Sequence, residues 1–438
     1  MHVDGFMHLA PRYSICKKPN IFYYFCMIIH YFFVSMQKLL FFVCLWLIGF
    51  GVMSQSISVS DSAKISLLTC SPGPEVYAQY GHSALRINDP ASGLDIVFNY
   101  GTFDSSTNNF LGKFISGATD YQLSVYETAR FLPGFEQSNS MVTEQVLNLN
   151  LVEKRKLINS LLENYQPENR LYRYNFIYDN CSTRPRDLIL RALHGRVEYN
   201  ESYDRKSFRD WVGDYVGYDS WTKFGIDLIF GVHADSIASQ KEAQFLPEVL
   251  MQDLENAQIL QNNGQQKRNL VLQHNVLVHK KVVETNQKSE RISPIIFSYL
   301  LLVLGVLIIF LENQLKLLRR VYDTLLMLVS GIVGFIIVYM MFFSVHPLMQ
   351  ENYNLLWLNP LNIFAAVALW FNSMRKYLYV YHIINTGLVI IALIICAMGV
   401  QVFNNAFFPL MILFAMRYGK RIFRANKKKH SKKFVRVK

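Results

Sequence analysis

The sequence predicts an α+β domain followed by an all-α domain that spans a membrane. Residues 56–245 alternate strand-like segments with helix-like segments, which is typical of a mixed fold. After residue 292 the chain contains long apolar runs that approach the roughly 20 residues needed to cross a bilayer. A shorter apolar run, within residues 36–55, has the features of an export signal.

The N-terminal region combines this signal with a preceding extension. Met36, Gln37 and Lys38 form a short basic start, residues 39–53 are apolar, and residues 54–56 are small or polar, as a cleavage site requires. We therefore interpret residues 36–55 as a signal peptide. We interpret residues 1–35 as an extension from a start codon assigned too early, with Met36 as the true start. An extra anchoring segment is the alternative.

The exported domain, residues 56–245, is predicted from its alternating patterns and turn residues. A hairpin is expected where Asp-Pro-Ala-Ser-Gly, at residues 89–93, separates two alternating segments. An amphipathic helix, one more strand and a polar linker follow in residues 246–291. The predicted strands are residues 65–69, 82–87, 95–100, 121–126, 142–149 and 172–178, and the predicted helices are 109–115 and 151–165.

The membrane domain, residues 292–418, is predicted to contain five helices. With the first domain outside, the basic turns at 316–320 and 375–376 and the basic tail at 419–438 all fall in the cytoplasm. The positive-inside rule requires this arrangement, and an even number of helices would break it. We expect a multi-pass protein of the bacterial inner membrane with this first domain in the periplasm. The apolar segments are residues 292–311, 321–343, 355–371, 379–400 and 406–416.

The net charge of +12 does not indicate a nucleic-acid partner. From Arg417 to Lys438 there are eleven Lys or Arg residues and no acidic residue, so the rest of the chain is nearly neutral. A basic tail directly after an apolar helix contacts anionic lipid and sets topology. The sequence contains no metal-binding motif and no glycine-rich phosphate loop, and we expect no cofactor.

Cys181 lies where a predicted strand meets a predicted helix. Ser182 and Thr183 are capping-type residues, Pro185 is tolerated in a first turn, and the helical run ends at Gly195. A sulfur at that position faces unpaired backbone N–H groups and the positive end of the helix dipole, which favour the thiolate. Cys181 is therefore the candidate nucleophile.

The other cysteines bear on this assignment. Cys16, Cys26 and Cys44 precede residue 56, and Cys396 lies in an apolar segment. Cys70 alone shares the exported domain with Cys181. In an oxidising compartment, a Cys70–Cys181 disulfide is the alternative to a free catalytic thiol.

A thiolate nucleophile needs a base within hydrogen-bond reach and a group that orients the base. His82, at the start of the hairpin's first strand, is the candidate base, although a structural histidine is the alternative. Asn99 on the neighbouring strand is the candidate orienting residue, with Asp95 as the other possibility. Either could instead form turns or caps.

Residues beside these positions are predicted to bind substrate. Tyr100, Asn180 and Ser182 flank Asn99 and Cys181, and the backbone N–H groups of Cys181 and Ser182 are expected to hold an oxyanion. His346 lies in an outside-facing turn and is expected to line the floor of a site at the bilayer surface. The alternative for that turn is an interfacial belt of Trp and Tyr.

Four stretches carry a resemblance to a known family. They are LLTCSPGPE at residues 67–75, YGHSALR at 80–86, FNYGTF at 98–103 and YNFIYDNCSTRPRD at 174–187. They are similar to the Lnb N-terminal periplasmic domain, which is coupled to an Lnb-like five-helix membrane domain. The order of histidine before cysteine also resembles the permuted papain-like thiol acyltransferases such as lecithin:retinol acyltransferase.

The resemblance implies a lipoprotein N-acyltransferase. Such an enzyme moves an acyl chain from a phospholipid donor to the N-terminal amine of a diacylglyceryl-cysteine lipoprotein acceptor. Cys181 would carry the acyl group as a thioester and His82 would be the base. Two alternatives stay open: a papain-like cysteine hydrolase acting on envelope peptides or lipid esters, and a non-enzymatic membrane assembly factor. The last requires a disulfide-bonded Cys181, or a buried one without a nearby histidine.

Overall fold

The computed structural model describes residues 59–436 and the isolated positions 32 and 36. Residues 76–77, 105, 107–108, 200–202, 262–263, 282–291 and 312–313 are not described. Apart from those two positions, the predicted extension 1–35 and signal peptide 36–55 lie outside the described residues, as does nearly all of the predicted polar linker.

Two antiparallel sheets organise the first domain. The larger has seven strands in the order β10-β5-β1-β2-β3-β4-β6, and the smaller has the order β7-β8-β9. Both β1 and β5 are buried along nearly their whole length, as expected of strands covered on both faces. The strands are β1 (Lys64–Cys70), β2 (His82–Asp89), β3 (Leu94–Thr102), β4 (Asp120–Glu127), β5 (Val142–Leu147), β6 (Leu171–Arg173), β7 (Arg196–Glu198), β8 (Gln258–Gln261), β9 (Gln266–Asn269) and β10 (Val271–Val278).

Helices lie between these strands. The start of α3 (Leu151–Tyr165) shows how capping residues fix where a helix begins. Asn150 Oδ1 accepts the backbone N–H of Glu153 at 3.0 Å, and the Glu153 carboxylate accepts that of Asn150 at 3.0 Å. This capping box satisfies two N–H groups that have no partner within the helix. The helices are α1 (Phe110–Ser116), α2 (Thr128–Gln137), α3 (Leu151–Tyr165), α4 (Thr183–Ala192), α5 (Phe208–Val216), α6 (Trp221–Ile229), α7 (Gln240–Ala243) and α8 (Pro247–Glu255).

One predicted strand, residues 172–178, is wrong beyond Arg173. Asn175 and Asp179 exchange two backbone hydrogen bonds of 3.0 Å. The Asn175 side chain also accepts the N–H groups of Ile177 and Tyr178, at 3.0 Å each. This asparagine-stabilised turn replaces the strand ladder because it satisfies the backbone locally.

The membrane domain contains α9 (Pro294–Leu311), α10 (Lys316–Phe343), α11 (Asn362–Ala368), α12 (Arg375–Ala397) and α13 (Phe407–Arg436). Within the described residues, three helical stretches are long and apolar enough to cross a membrane: α9, α10 and Asn372–Ala397, which contains α12. The prediction of five spanning helices is therefore not confirmed.

The predicted third helix, residues 355–371, is wrong as a continuous helix. Only α11 is α-helical, and a 3-10 turn (Tyr353–Leu356) precedes it. This segment packs against the backbone of α10. A Cβ at Gly334 would overlap the carbonyl oxygen of Leu358 in the irregular part, and one at Gly331 would lie 2.7 Å from the backbone nitrogen of Ile363 in α11. Non-helical backbone is tolerated at membrane depth where protein buries it.

A cluster of charges joins the two domains, and we call it the junction cluster. Its core is Asp227 on α6, which accepts hydrogen bonds from Arg209 Nη1 at 2.7 Å and Lys223 Nζ at 2.6 Å. Asp227 Oδ2 accepts from Asn404 Nδ2 at 2.8 Å, and its carbonyl oxygen accepts from Asn354 Nδ2 at 2.9 Å. The first domain is therefore bonded directly to two segments of the membrane domain.

Candidate active site

Cys181 lies at the end of the Asn175 turn, two residues before α4, and only 7% of it is exposed. The structure brings it beside His82 on β2. A Cβ added at Gly101 would lie 3.7 Å from Cys181 Cβ and 3.9 Å from His82 Cε1. The imidazole and the sulfur are close enough for each to shift the pKa of the other. The two residues predicted as nucleophile and base are therefore neighbours in the structure.

Asn99 on β3 orients the imidazole. Its Oδ1 lies 2.5 Å from His82 Nε2, which leaves Nδ1 as the ring nitrogen for the sulfur. The alternative, Asp95, is committed elsewhere: it accepts from Arg86 at 2.7 and 2.8 Å and from Thr128 at 2.6 Å. Of the two candidates that the sequence left open for the orienting residue, the structure places Asn99 and not Asp95 in a hydrogen bond with His82.

The ionisation of the pair follows from these contacts. Burial by itself raises the pKa of the Cys181 thiol, but the charge and hydrogen bond of His82, the backbone N–H of Ser83 and the Tyr174 hydroxyl together bring it below the ordinary value. Burial disfavours the imidazolium, yet the Cys181 thiolate and Asn99 raise the pKa of His82. The arrangement favours a thiolate–imidazolium pair, the reactive form of a cysteine.

Sequence reasoning assigned no role to Tyr174. Its hydroxyl donates to the Cys181 sulfur, and burial raises its pKa far above the ordinary value, so it remains a donor. Its ring stacks on Tyr121 with centroids 4.4 Å apart. The available signal was its place in the aromatic run just before Cys181, but a run of aromatic residues does not show which hydroxyl turns toward the sulfur.

The predicted contact between the sulfur and the helix N-terminus needs correction. Asn180 Oδ1 accepts the N–H groups of Ser182 and Thr183 at 2.8 Å each, so it caps α4. The Ser182 N–H therefore already has an acceptor in this structure, and the predicted oxyanion role of the Cys181 and Ser182 N–H groups stays a prediction. The donors that lower the thiol pKa come instead from Ser83 and Tyr174.

Three residues predicted to bind substrate have polar side-chain groups that are hydrogen-bonded to other residues of the protein. Asn180 Nδ2 donates to the carbonyl oxygens of Phe176 and Phe245 at 2.8 Å each, and Ser182 Oγ donates to that of Gln244 at 2.8 Å. Tyr100 is fully buried, and its hydroxyl accepts from Asn164 at 2.8 Å. Successive strand residues point to opposite faces, so Asn99 reaches His82 while Tyr100 does not. Substrate contact by these side chains does not fit their burial.

A cavity of about 390 Å³ lies between the two domains. Cys181 is not among its lining residues, but Tyr174 is, and the Tyr174 hydroxyl is one of the groups that lower the pKa of the Cys181 thiol. His346 also lines the cavity, and its predicted role in binding substrate stays a prediction. The remaining walls are mostly aromatic and aliphatic, including Tyr80, Tyr121, Phe176, Ile226, Ile229, Ile336, Met340 and Leu348.

The two cysteines of the first domain are both free. Cys70 pairs with His82 across β1 and β2, and burial, followed by the nearby Cys181 charge, raises its pKa well above the ordinary value. A Cys70–Cys181 disulfide, the alternative considered from the sequence, is absent. Among the described residues no group of three or more His, Cys, Asp or Glu side chains is placed to hold a metal ion.

Comparison with known proteins gives two family matches. Residues 54–213 match the model of the Lnb N-terminal periplasmic domain, and residues 285–429 match the model of the Lnb transmembrane domain. Together these ranges cover well over half of the chain. No curated protein and no solved structure matches it.

Proposed function

The chain belongs to the Lnb-type family, and on that premise we propose that it is a membrane-bound lipoprotein N-acyltransferase with a cysteine nucleophile. The observation that carries this proposal is the contact of Cys181 with His82, itself held by Asn99, next to an apolar cavity. A nucleophile, a base and a group that orients the base are what acyl transfer through a thioester needs.

The first half-reaction loads the enzyme. The Cys181 thiolate attacks an ester carbonyl carbon of a phospholipid, and a tetrahedral oxyanion forms. When the ester C–O bond breaks, the His82 imidazolium gives its proton to the leaving oxygen. The products are an acyl thioester on Cys181, a lysophospholipid and a neutral His82.

The second half-reaction delivers the chain. The N-terminal amine of a diacylglyceryl-cysteine lipoprotein attacks the thioester carbonyl carbon, and neutral His82 accepts the amine proton. The C–S bond then breaks, which yields an amide and restores the thiolate–imidazolium pair. No oxidant, metal or cofactor takes part in either step.

Tyr174 fits the role of oxyanion donor. In the resting state its hydroxyl donates to the thiolate. Once the sulfur is acylated it carries no negative charge, so the hydroxyl is free to turn to the carbonyl oxygen that acquires charge next. A hydroxyl that donates to this oxygen stabilises the charge that develops on it.

The membrane domain suits lipid substrates. Donor and acceptor are both held in the bilayer, and removing a chain from lipid costs about 0.8 kcal/mol per CH2. A thiol held at the membrane surface avoids that cost. We propose accordingly that the protein lies in a bacterial inner membrane, with the periplasmic domain outside, and that this domain has the permuted papain-like arrangement.

The test is the N-terminal structure of lipoproteins in cells that depend on this chain. Cys181→Ala and His82→Ala are expected to leave lipoproteins with a free N-terminal amine, seen by mass spectrometry of their N-terminal lipopeptides. Cys396→Ala removes a cysteine in the membrane domain and is expected to leave triacylation intact. Triacylated lipoproteins in the Cys181→Ala strain would contradict the proposal.

A cysteine hydrolase would use the same two residues, Cys181 and His82. Whether product formation depends on the lipoprotein acceptor distinguishes a hydrolase from a transferase. A transferase releases lysophospholipid in step with amide formation, whereas a hydrolase releases free fatty acid without any lipopeptide. The assembly-factor alternative requires a blocked or isolated Cys181. The free Cys181 and its contact with His82 are the opposite of that requirement.

A further inference from the structure

The cavity beside the thiol has one wall in the membrane domain. Ile336 and Met340 lie on α10, which is long and apolar enough to cross a bilayer. Ile336 is 48% exposed on the surface of this apolar helix, whereas Met340 is buried. The cavity therefore extends from Tyr174, the lining residue whose hydroxyl interacts with Cys181, to an apolar helix long enough to cross a bilayer.

Its chemistry excludes a head group as the occupant. The lining residues include no Asp, Glu, Lys or Arg, and apart from His346 the polar side chains are tyrosines and Thr119. Its volume of about 390 Å³ lies near the lower end of small-molecule sites, which span about 300–1,000 Å³. Such a space suits one hydrocarbon chain and is small for the two chains of a diacylglyceryl group.

We propose that this cavity binds the acyl chain undergoing transfer, with its carbonyl carbon at Cys181 and its methyl end against Met340 and Ile336. The inference rests on the proposed function and adds that these two side chains limit chain length. A chain that fits exchanges contact with neighbouring lipid tails for contact with apolar side chains along its length, while a longer chain meets the α10 wall. Chain selection would then be decided when the thioester forms.

The experiment measures the thioester itself. The full-length protein is placed in vesicles that contain equal amounts of phosphatidylethanolamine with lauroyl, palmitoyl or stearoyl chains, without lipopeptide. Intact-protein mass spectrometry then gives the ratio of lauroyl to stearoyl on Cys181. Met340→Trp shortens the cavity by about two methylenes and is expected to raise this ratio roughly tenfold. Met340→Ala is expected to lower it.

A matched pair on the same helix provides the control. Ile332 and Ile336 lie one turn apart and are 47% and 48% exposed, but only Ile336 lines the cavity. Ile336→Trp is expected to favour lauroyl, and Ile332→Trp to leave the ratio as in the unmodified protein. Labelling of Cys181 by a maleimide in each variant shows that the fold around the thiol is retained.

The outcomes separate the two proposals. If the unmodified protein forms no acyl thioester, the proposed function and this inference both fail. If thioesters form but neither Met340 variant changes the ratio, only the inference fails. An equal shift in Ile332→Trp and Ile336→Trp would also overturn it, because the effect would then come from the helix surface and not from the cavity.

Discussion

Two buried polar clusters in this protein have opposite properties. The thiol cluster consists of Cys181, His82, Asn99 and Tyr174, and the junction cluster consists of Arg209, Lys223, Asp227 and Asp235 with Asn354 and Asn404. In the junction cluster each charge is held by several direct bonds. Arg209, for example, binds Asp227 at 2.7 Å and Asp235 at 2.6 Å. In the thiol cluster, transfer of one proton from the His82 imidazolium to the Cys181 thiolate neutralises both groups.

The difference lies in what burial does to the charged groups. Burial opposes the ionisation of both Cys181 and His82, and each is charged because the other is close. Removal of one member therefore changes reactivity more than folding. In the junction cluster, removal of one partner leaves other charges buried without a counter-ion, which changes folding more than reactivity. Three substitutions sharpen this contrast, in order of decreasing effect.

His82→Ala is expected to have the largest effect. Loss of the base should slow acyl transfer by about 10²–10⁴-fold, the usual contribution of such a group. The imidazolium lowers the pKa of Cys181, so its removal should move the alkylation profile of the thiol to higher pH. In the unmodified protein activity should fall on the acid side as Cys181 is protonated, and on the alkaline side as His82 loses its proton.

The control for this substitution is His274→Ala. His274 lies on β10, its side chain is largely exposed, and it contacts Glu255 at 3.3 Å. We expect the rate and the alkylation profile to be those of the unmodified protein. An unchanged profile in His82→Ala would contradict the proposed charge pair.

Asp227→Ala is expected to break the junction cluster. Arg209 and Lys223, both buried, would lose a shared partner, and the free energy of unfolding should fall by about 3–5 kcal/mol. Unfolding in detergent, followed by tryptophan fluorescence, measures this change. The matched control is Asp214→Ala, because Asp214 binds Lys206 at 3.0 Å and the two side chains are 33% and 35% exposed. Its loss should cost at most about 1 kcal/mol. Equal costs would show that burial does not distinguish the two pairs.

Asn99→Ala is expected to have the smallest effect of the three. Loss of one hydrogen bond to a charged ring should slow transfer roughly 10- to 100-fold, by allowing the imidazole to rotate. Asn99→Asp keeps the acceptor and adds a negative charge, so it should recover part of the rate and move the alkaline limit to higher pH. Asp95→Asn weakens the pair with Arg86 and should leave the pH profile unchanged. A shifted profile in Asp95→Asn would reopen the choice between them.

The sequence by itself determined the elements whose signals are local. The helix predicted at residues 151–165 has those bounds in the structure, because its apolar spacing and its capping box of Asn150 and Glu153 are local in the sequence. The hairpin of β2 and β3 and the placement of Cys181 just before a helix were predicted for the same reason. The resemblance found in the quoted stretches is confirmed by the two family matches.

Only the tertiary structure decided which polar groups meet. The strand pattern could not decide whether Asn99 or Asp95 orients His82, because both residues lie on the same strand. The structure decides it, because the Asp95 carboxylate is hydrogen-bonded to Arg86 and Thr128. Asn180 was expected to face substrate, but the carbonyl oxygens of Phe176 and Phe245 take its amide group. A buried polar group without a hydrogen bond costs free energy, so each buried group must find a partner. Which groups are buried depends on the whole fold.

The membrane half and the cavity depended on distant contacts in the same way. An apolar run predicts a spanning helix by length, yet residues 355–371 are largely irregular because Gly331 and Gly334 let their backbone lie against α10. The cavity walls come from Tyr174, Ile226 and Ile336, which are ordinary apolar positions in the sequence. Local periodicity and capping specify single elements, whereas a site between elements exists only after long-range packing brings them together.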